Sequence, residues 1–208
     1  MACASLILRA EEVISELSAT GAYRVGHFVL PTGKHTDRYL QIPLALRHFE
    51  VSRRLCVGLA RLLRSAPPIA AALPKVSIVS PPSGGIPVAF GLADTLSPTK
   101  IYWAERRRGS TLGFRQFVEI AQGERFILVD DVLRSGKTMT TLVGLVRESG
   151  GDVLGIGVIV DQSAGRVDLG GVPVYSLAPL KTAYFDKDGC PLCRRGEPAV
   201  SVEEFGTI

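Results

Sequence analysis

Five short apolar runs recur along the second two-thirds of the chain: KVSIVS (75–80), KIYWAE (100–105), RFILVD (125–130), VLGIGVIVD (153–161) and VPVYSLAPL (172–180). Little polar alternation interrupts them, and longer helix-like or loop segments separate them. A strand wetted on one side alternates apolar and polar residues, whereas a strand covered on both faces does not. The pattern therefore predicts an α/β fold with a central, mostly parallel five-stranded sheet flanked by helices. Helical spacing is read over 4–19 (Leu6, Val13, Ile14, Leu17), over 50–64 (Val51, Leu55, Leu59, Leu62, Leu63), over 86–96 and over 138–149, the last ending at Gly150-Gly151. Between the first two lies GAYRVGHFVLPTGKHTDRYLQIPLAL, rich in glycine, aromatics and turn formers, with strand-like pieces HFVL and RYLQI.

No repeat or linker divides the chain, and 208 residues at 46% hydrophobic content can bury one substantial core. The expected organisation is one domain over 1–208: a small unit built mainly from 21–48, a core over about 50–182 and a tail over 183–208. The net charge of +4 arises from short arginine clusters (53–54, 106–108, 194–195) with no nucleic-acid reading motif beside them. That distribution suits a small phosphate-rich substrate and argues against nucleic acid. No apolar run approaches the roughly 20 residues of a membrane span. The start, MACASLILRAEEVISEL, has no basic leader, and four cysteines do not make a disulfide scaffold. A soluble, cytoplasmic protein is expected.

Open α/β sheets bind ligands beyond the carboxyl ends of their strands. Three loops fall there: PPSGG after the first run, ERRRGSTLGFRQF after the second, and DDVLRSGKT after the third. The last ends like a nucleotide-triphosphate P-loop, but that motif needs a glycine five residues before Gly136. The residue there is Asp131, whose carboxylate repels a polyphosphate, so the P-loop reading fails. Adjacent carboxylates at the end of a strand, Asp130 and Asp131, instead accept hydrogen bonds from a vicinal diol such as the 2′- and 3′-hydroxyls of ribose. The turn Arg134–Thr138 then opens a helix whose free amides and positive dipole end attract a phosphate. Diol at one end and phosphate at the other describe a ribose 5-phosphate. In isolation, an acidic turn cap and ordinary helix-start chemistry explain the same residues equally well; the alignment of three loops on one edge favours the ligand.

FILVDDVLRSGKT resembles the phosphoribosyl pyrophosphate (PRPP) motif of the type I phosphoribosyltransferases. FVLPTGKHTDRYLQ resembles the N-terminal hood of the orotate phosphoribosyltransferases, GGIPVAFGLA the helix after their pyrophosphate loop, AERRRGSTLGFRQF their mobile catalytic loop, and CPLCRRGEP the ending of some members. The resemblance runs from about Gly21 to Pro198. It implies the type I phosphoribosyltransferase fold and transfer of phosphoribosyl from PRPP to orotate, giving orotidine 5′-phosphate and pyrophosphate, with Mg²⁺ carried by the substrate and no firm protein ligand. By the same resemblance Asp130, Asp131, Val132, Leu133, Arg134, Ser135, Gly136, Lys137 and Thr138 bind PRPP, joined by Ser83, Gly84 and Gly85 from the pyrophosphate loop. Arg106, Arg107 and Lys34 join the two acids as catalytic groups, with Gly109 and Gly113 as hinges of the arginine loop. Lys34, Tyr39, Gln162 and Arg115 face the base. A homodimer with shared active sites is implied.

Three departures from the family pattern stand out. Arg134 and Lys137 replace a threonine and a glycine common in the turn. Gln162 stands where members usually have an arginine that recognises orotate, with Arg166 nearby as a substitute; a transferase for another base, or a PRPP-binding regulator without chemistry, are the competing readings. Third, Cys190 and Cys193 are half of a zinc ligand set that Cys3, Cys56 or a histidine would have to complete. A reduced pair in a tail turn is the expectation. His27, His35 and His48 show no metal spacing, so surface or structural roles are expected for them.

Overall fold

A computed structural model describes residues 8–107 and 111–202. Helix α1 (Ala10–Ala19) is started by a capping box in which the Glu12 carboxylate accepts the Arg9 N–H, and it buries Val13 and Leu17. It begins later than the expected residue 4, whose surroundings fall outside the described residues. A hairpin follows, β1 (Tyr23–Val29) and β2 (His35–Leu40), joined by a turn in which Gly33 takes φ 78°. After the single turn α2 (Pro43–Leu46), α3 (Phe49–Ser65) buries Val51, Leu55, Leu59 and Leu63, a spacing of four that puts one stripe on the sheet. The proline-rich connection contains a further turn, α4 (Pro67–Ala70).

The core then alternates: β3 (Ser77–Ser80), α5 (Gly85–Leu96), β4 (Lys100–Trp103), a minor hairpin β5 (Glu105–Arg106) and β6 (Leu112–Gly113), then β7 (Arg125–Leu133), α6 (Lys137–Glu148), β8 (Asp152–Asp161) and β9 (Val174–Pro179). Five of these strands form one sheet in the order β4-β3-β7-β8-β9, every pair parallel. Central β7 shows why its sequence does not alternate. Ile127 and Val129 belong to the core that contains the buried faces of α3 and α5, while Phe126 and Leu128 belong to the core under α6. Both faces are dry, so both need apolar residues. At the amino end of this sheet Glu124 accepts from Ser77 Oγ (2.6 Å), Lys100 Nζ (3.2 Å) and Tyr102 Oη (3.1 Å), tying three strands together.

One boundary differs from expectation. Asp130 and Asp131 do not end their strand; β7 runs on to Leu133, with Asp130 in register with Val158 and Leu133 with Asp161. The apolar Val132 and Leu133 keep the ladder going past the acids.

The second sheet carries the larger surprise. The tail adds β10 (Tyr184–Phe185), the short helix α7 (Pro191–Arg194) and β11 (Ala199–Ser201). The sheet order is β10-β2-β1-β11, so the tail supplies both outer strands of the hood that residues 21–48 were expected to build mainly by themselves. His27 and His35 are not at the surface: both are buried in this sheet beside Cys190. Among the described residues no helix is long and apolar enough to cross a membrane.

Candidate active site

The carboxyl ends of β3 and β7 and the amino end of α6 enclose a cleft of about 430 Å³. Its acidic wall is Asp130 and Asp131. The two carboxylates lie together in one cleft but meet different neighbours. Asp131 points at the loop after β3, where a Cβ on Gly84 would lie 2.6 Å from the Asp131 carboxylate. Only a glycine lets that loop come so close. Gly85, the first residue of α5, is equally constrained: a Cβ there would lie 2.9 Å from the Val129 carbonyl oxygen. Ser83 and Gly84 line the cleft, while Gly85 packs behind it.

Asp130 lies toward Arg106, which enters the cleft from the β5–β6 hairpin. Burial and the charge of Asp131 push the Asp130 carboxyl well above the ordinary carboxylate range, with Arg106 opposing the shift. Burial raises Asp131 as well, opposed by hydrogen bonding from its neighbours and by Arg134. Two carboxylates forced together out of bulk water is a costly arrangement, and its cost is recovered only by groups that donate to them.

Opposite the acids, α6 is preceded by Gly136, which takes φ 77° and whose absent Cβ would sit 2.0 Å from Val167 Cγ1. Ser135, Gly136 and Thr138 line the cleft, presenting the unpaired amides of the first helical turn. Val132 and Leu133 complete the wall. Arg134 does not simply add charge beside this turn: it donates from Nη2 to the Leu40 carbonyl (2.7 Å), pinning the hood to the core. Lys137 is exposed on the helix and lies outside the cleft lining.

A second cleft, of about 350 Å³, adjoins the first through Arg134 and Ser135. Lys34, Gln162 and Arg166 line it together with Thr32 and Tyr184. Lys34 Nζ pairs with Asp186 at 2.7 Å, both largely exposed, an ion pair weak enough to yield to an anionic ligand. Gln162 is buried and donates from Nε2 to Thr182 Oγ1 (2.8 Å), while its Oε1 finds no partner among the described residues. Arg166 reaches back to the Ser163 carbonyl at 3.2 Å.

Three expected residues stand elsewhere. Tyr39 lines neither cleft; its ring packs on Phe28, with centroids 5.6 Å apart, as part of the hood. Arg107 donates to the Phe114 carbonyl (2.9 Å) and braces the hairpin, and Arg115 forms a 2.5 Å ion pair with Glu105. Gly113 sits inside the hairpin ladder, in register with Glu105, so it is not a free hinge. Gly109 and Arg108 lie outside the described residues. The tail residues Thr182, Tyr184 and Asp186 were missed, because two-residue strands such as β10 leave no periodic signal in a sequence.

An all-parallel sheet with a cleft at the carboxyl ends of its middle strands belongs to the open α/β class that binds ligands there, and the phosphoribosyl transferase domain matches residues 70–175. The chain belongs to the phosphoribosyl transferase family. Relatives named orotate phosphoribosyltransferase include those of Pelotomaculum thermopropionicum, 37% identical over 91% of this chain and 95% of the relative, and Desulforamulus reducens, 34% identical over 91% and 94%. The crystal structure of orotate phosphoribosyltransferase from Aeropyrum pernix superposes with a TM-score of 0.65 at 23% identity, covering 81% of this chain and 93% of that one, and shares the fold.

Proposed function

We propose that this chain transfers the phosphoribosyl group of PRPP to orotate, releasing pyrophosphate. The observation that carries the reading is the adjoining pair of clefts. The first offers an acidic pair for the ribose diol facing a helix amino terminus for the 5′-phosphate. The second offers Lys34, Arg166 and Gln162 to a planar anionic base. In the reaction the bond from C1′ to pyrophosphate oxygen breaks as the bond from the base nitrogen to C1′ forms, and the base nitrogen gives up its proton. Positive charge gathers on the sugar and negative charge on the departing pyrophosphate. Asp130 and Asp131 hold the sugar in place, and Arg106 meets the leaving group, so positioning and electrostatics supply the rate.

The Asp130 and Asp131 carboxylates and the Ser83 hydroxyl are hard oxygen donors of the kind Mg²⁺ accepts. Carried in with PRPP, Mg²⁺ would neutralise part of the charge on the leaving group. Loss of the family arginine at Gln162 is offset by Arg166 and Lys34, which restore cationic recognition of a carboxylate.

We read the chain as a homodimer. Phe90 and Trp103, rings 6.3 Å apart, stand about half exposed beside the arginine hairpin, an apolar face suited to a second copy.

The deciding experiment offers PRPP, Mg²⁺ and single nucleobases and follows pyrophosphate release. Release with orotate alone supports the reading. Release with another base moves the substrate, and PRPP binding without release for any base points to a regulator.

A further inference from the structure

The hood contains a second chemical cluster, remote in kind from the phosphate cleft. His27 and His35 from the hairpin meet Cys190 and Cys193 from the tail, and one ligand atom of each lies within 4.8 Å of all the others. Cys193 Sγ is 3.3 Å from His35 Nδ1 and 3.6 Å from His27 Nε2, and Cys190 Sγ is 3.7 Å from the same His27 nitrogen. A tetrahedron with Zn–N near 2.0 Å and Zn–S near 2.3 Å has edges of about 3.3–3.8 Å. The three sulfur–nitrogen separations fall within that range. The His27–His35 nitrogen pair, at 2.7 Å, is shorter and needs to open by about 0.6 Å to reach a tetrahedral edge.

We infer that His27, His35, Cys190 and Cys193 form a closed structural zinc site that fastens the tail onto the hood. Two imidazoles and two thiolates are a ligand set that Zn²⁺ takes in tetrahedral geometry and that Mg²⁺ does not. The surroundings prepare the site. His27 Nδ1 lies 2.8 Å from the Glu197 carbonyl oxygen, which can only accept, so Nδ1 carries the proton and Nε2 turns its lone pair inward. Pro191 starts the helical turn that brings both sulfurs to the same side. His27, His35 and Cys190 are 4%, 5% and 0% exposed, so water does not compete for them. Both sulfurs face the ring nitrogens and each other, the arrangement a shared metal would need.

Binding balances simply. Two thiol protons leave, His35 moves its ring proton from Nδ1 to Nε2, and Zn²⁺ takes the four freed lone pairs. With four protein ligands no position remains open for catalysis, so the role is mechanical. The site lies at the crossing of β1, β2 and α7, between the outer strands β10 and β11. It also brackets the Lys34–Asp186 pair: Lys34 immediately precedes His35, and Asp186 precedes Cys190 by four residues.

The test uses the full chain, purified under reducing conditions without a polyhistidine tag. Elemental analysis should find about one zinc per chain. Replacing the metal by Co²⁺ should give the visible spectrum of a tetrahedral cobalt–thiolate centre. H35A and C193S should lose metal while C56S, altered at a cysteine buried in the main core, keeps it. A wild-type protein that arrives without zinc, and takes up neither Zn²⁺ nor Co²⁺ once reduced, overturns the inference. So does iron in place of zinc. Because the wild-type measurement decides, a variant that fails to fold does not blur the outcome.

Discussion

Asp130 and Asp131 are adjacent yet differ in what surrounds them, and each can be tested by removing its charge. D131N keeps the shape and loses the charged acceptor opposite Gly84. A charge-assisted hydrogen bond is worth about 1.5–3 kcal/mol, so PRPP affinity should fall by about 10- to 100-fold, read by calorimetry. D130N tests the sign of the raised pKa. A folded state that holds its proton more tightly than the unfolded one loses stability as pH rises from the ordinary carboxylate value near 4 toward the raised value. Free D130N should therefore melt higher than wild type at neutral pH and lack that part of the pH slope, while binding PRPP poorly. In the wild type PRPP affinity should rise with pH across the same window, since ionised acids accept the diol. Gly136 is a third site of known cost. G136A puts a side chain at positive φ and into Val167, a loss of about 2–3 kcal/mol, or roughly 4–12 °C in melting temperature for a chain of this size. That the two acids would stand at the carboxyl edge of the sheet was legible in the sequence, because adjacent charges after a buried apolar run must face a cleft or solvent. The hold of Arg134 on Leu40 was not, since a long side chain gives no hint of which carbonyl it will find.

Among the elements, β7 shows how one strand serves both ends of the sheet. Its carboxyl end carries acids whose pKa is pushed up; just before its amino end, Glu124 is held low. Burial acts to raise Glu124 too, but hydrogen bonds from Ser77, the Ala121 N–H, Lys100 and Tyr102 outweigh it. Stability from Glu124 is thus present above the ordinary carboxylate value and lost as pH falls through its depressed one. E124Q should flatten the acid limb of the stability curve without changing PRPP affinity. The β5–β6 hairpin belongs to the working end. Removing one preorganised charge donor to a leaving group typically costs about 100- to 1000-fold in rate, so R106A should lose kcat on that scale while KM for orotate stays near wild type. The core elements were legible because buried parallel strands are long apolar runs. The hairpin was read as a bare loop, because two-residue strands have no period to detect.

For the whole molecule, the proposed dimer and the tail are the features to test. If Arg115, paired with Glu105 and outside its own cleft, serves the neighbouring subunit, mixing R115A with D131N at a PRPP concentration too low to saturate D131N should give more turnover than the two variants measured apart. No gain after subunit exchange would mean each chain works alone. The sheet order was the least legible feature of the chain: nothing in residues 184–201 announces that they flank a hairpin more than 140 positions earlier. That arrangement governs how the protein is made. Synthesis delivers residues 23–40 more than 140 residues before their lateral neighbours at 184–185 and 199–201, so in the interval the nascent hairpin has bare backbone along both sides. Until residues 184–201 have emerged, the hairpin is a roof without eaves, and its two open edges are free to pair with whatever strand comes near.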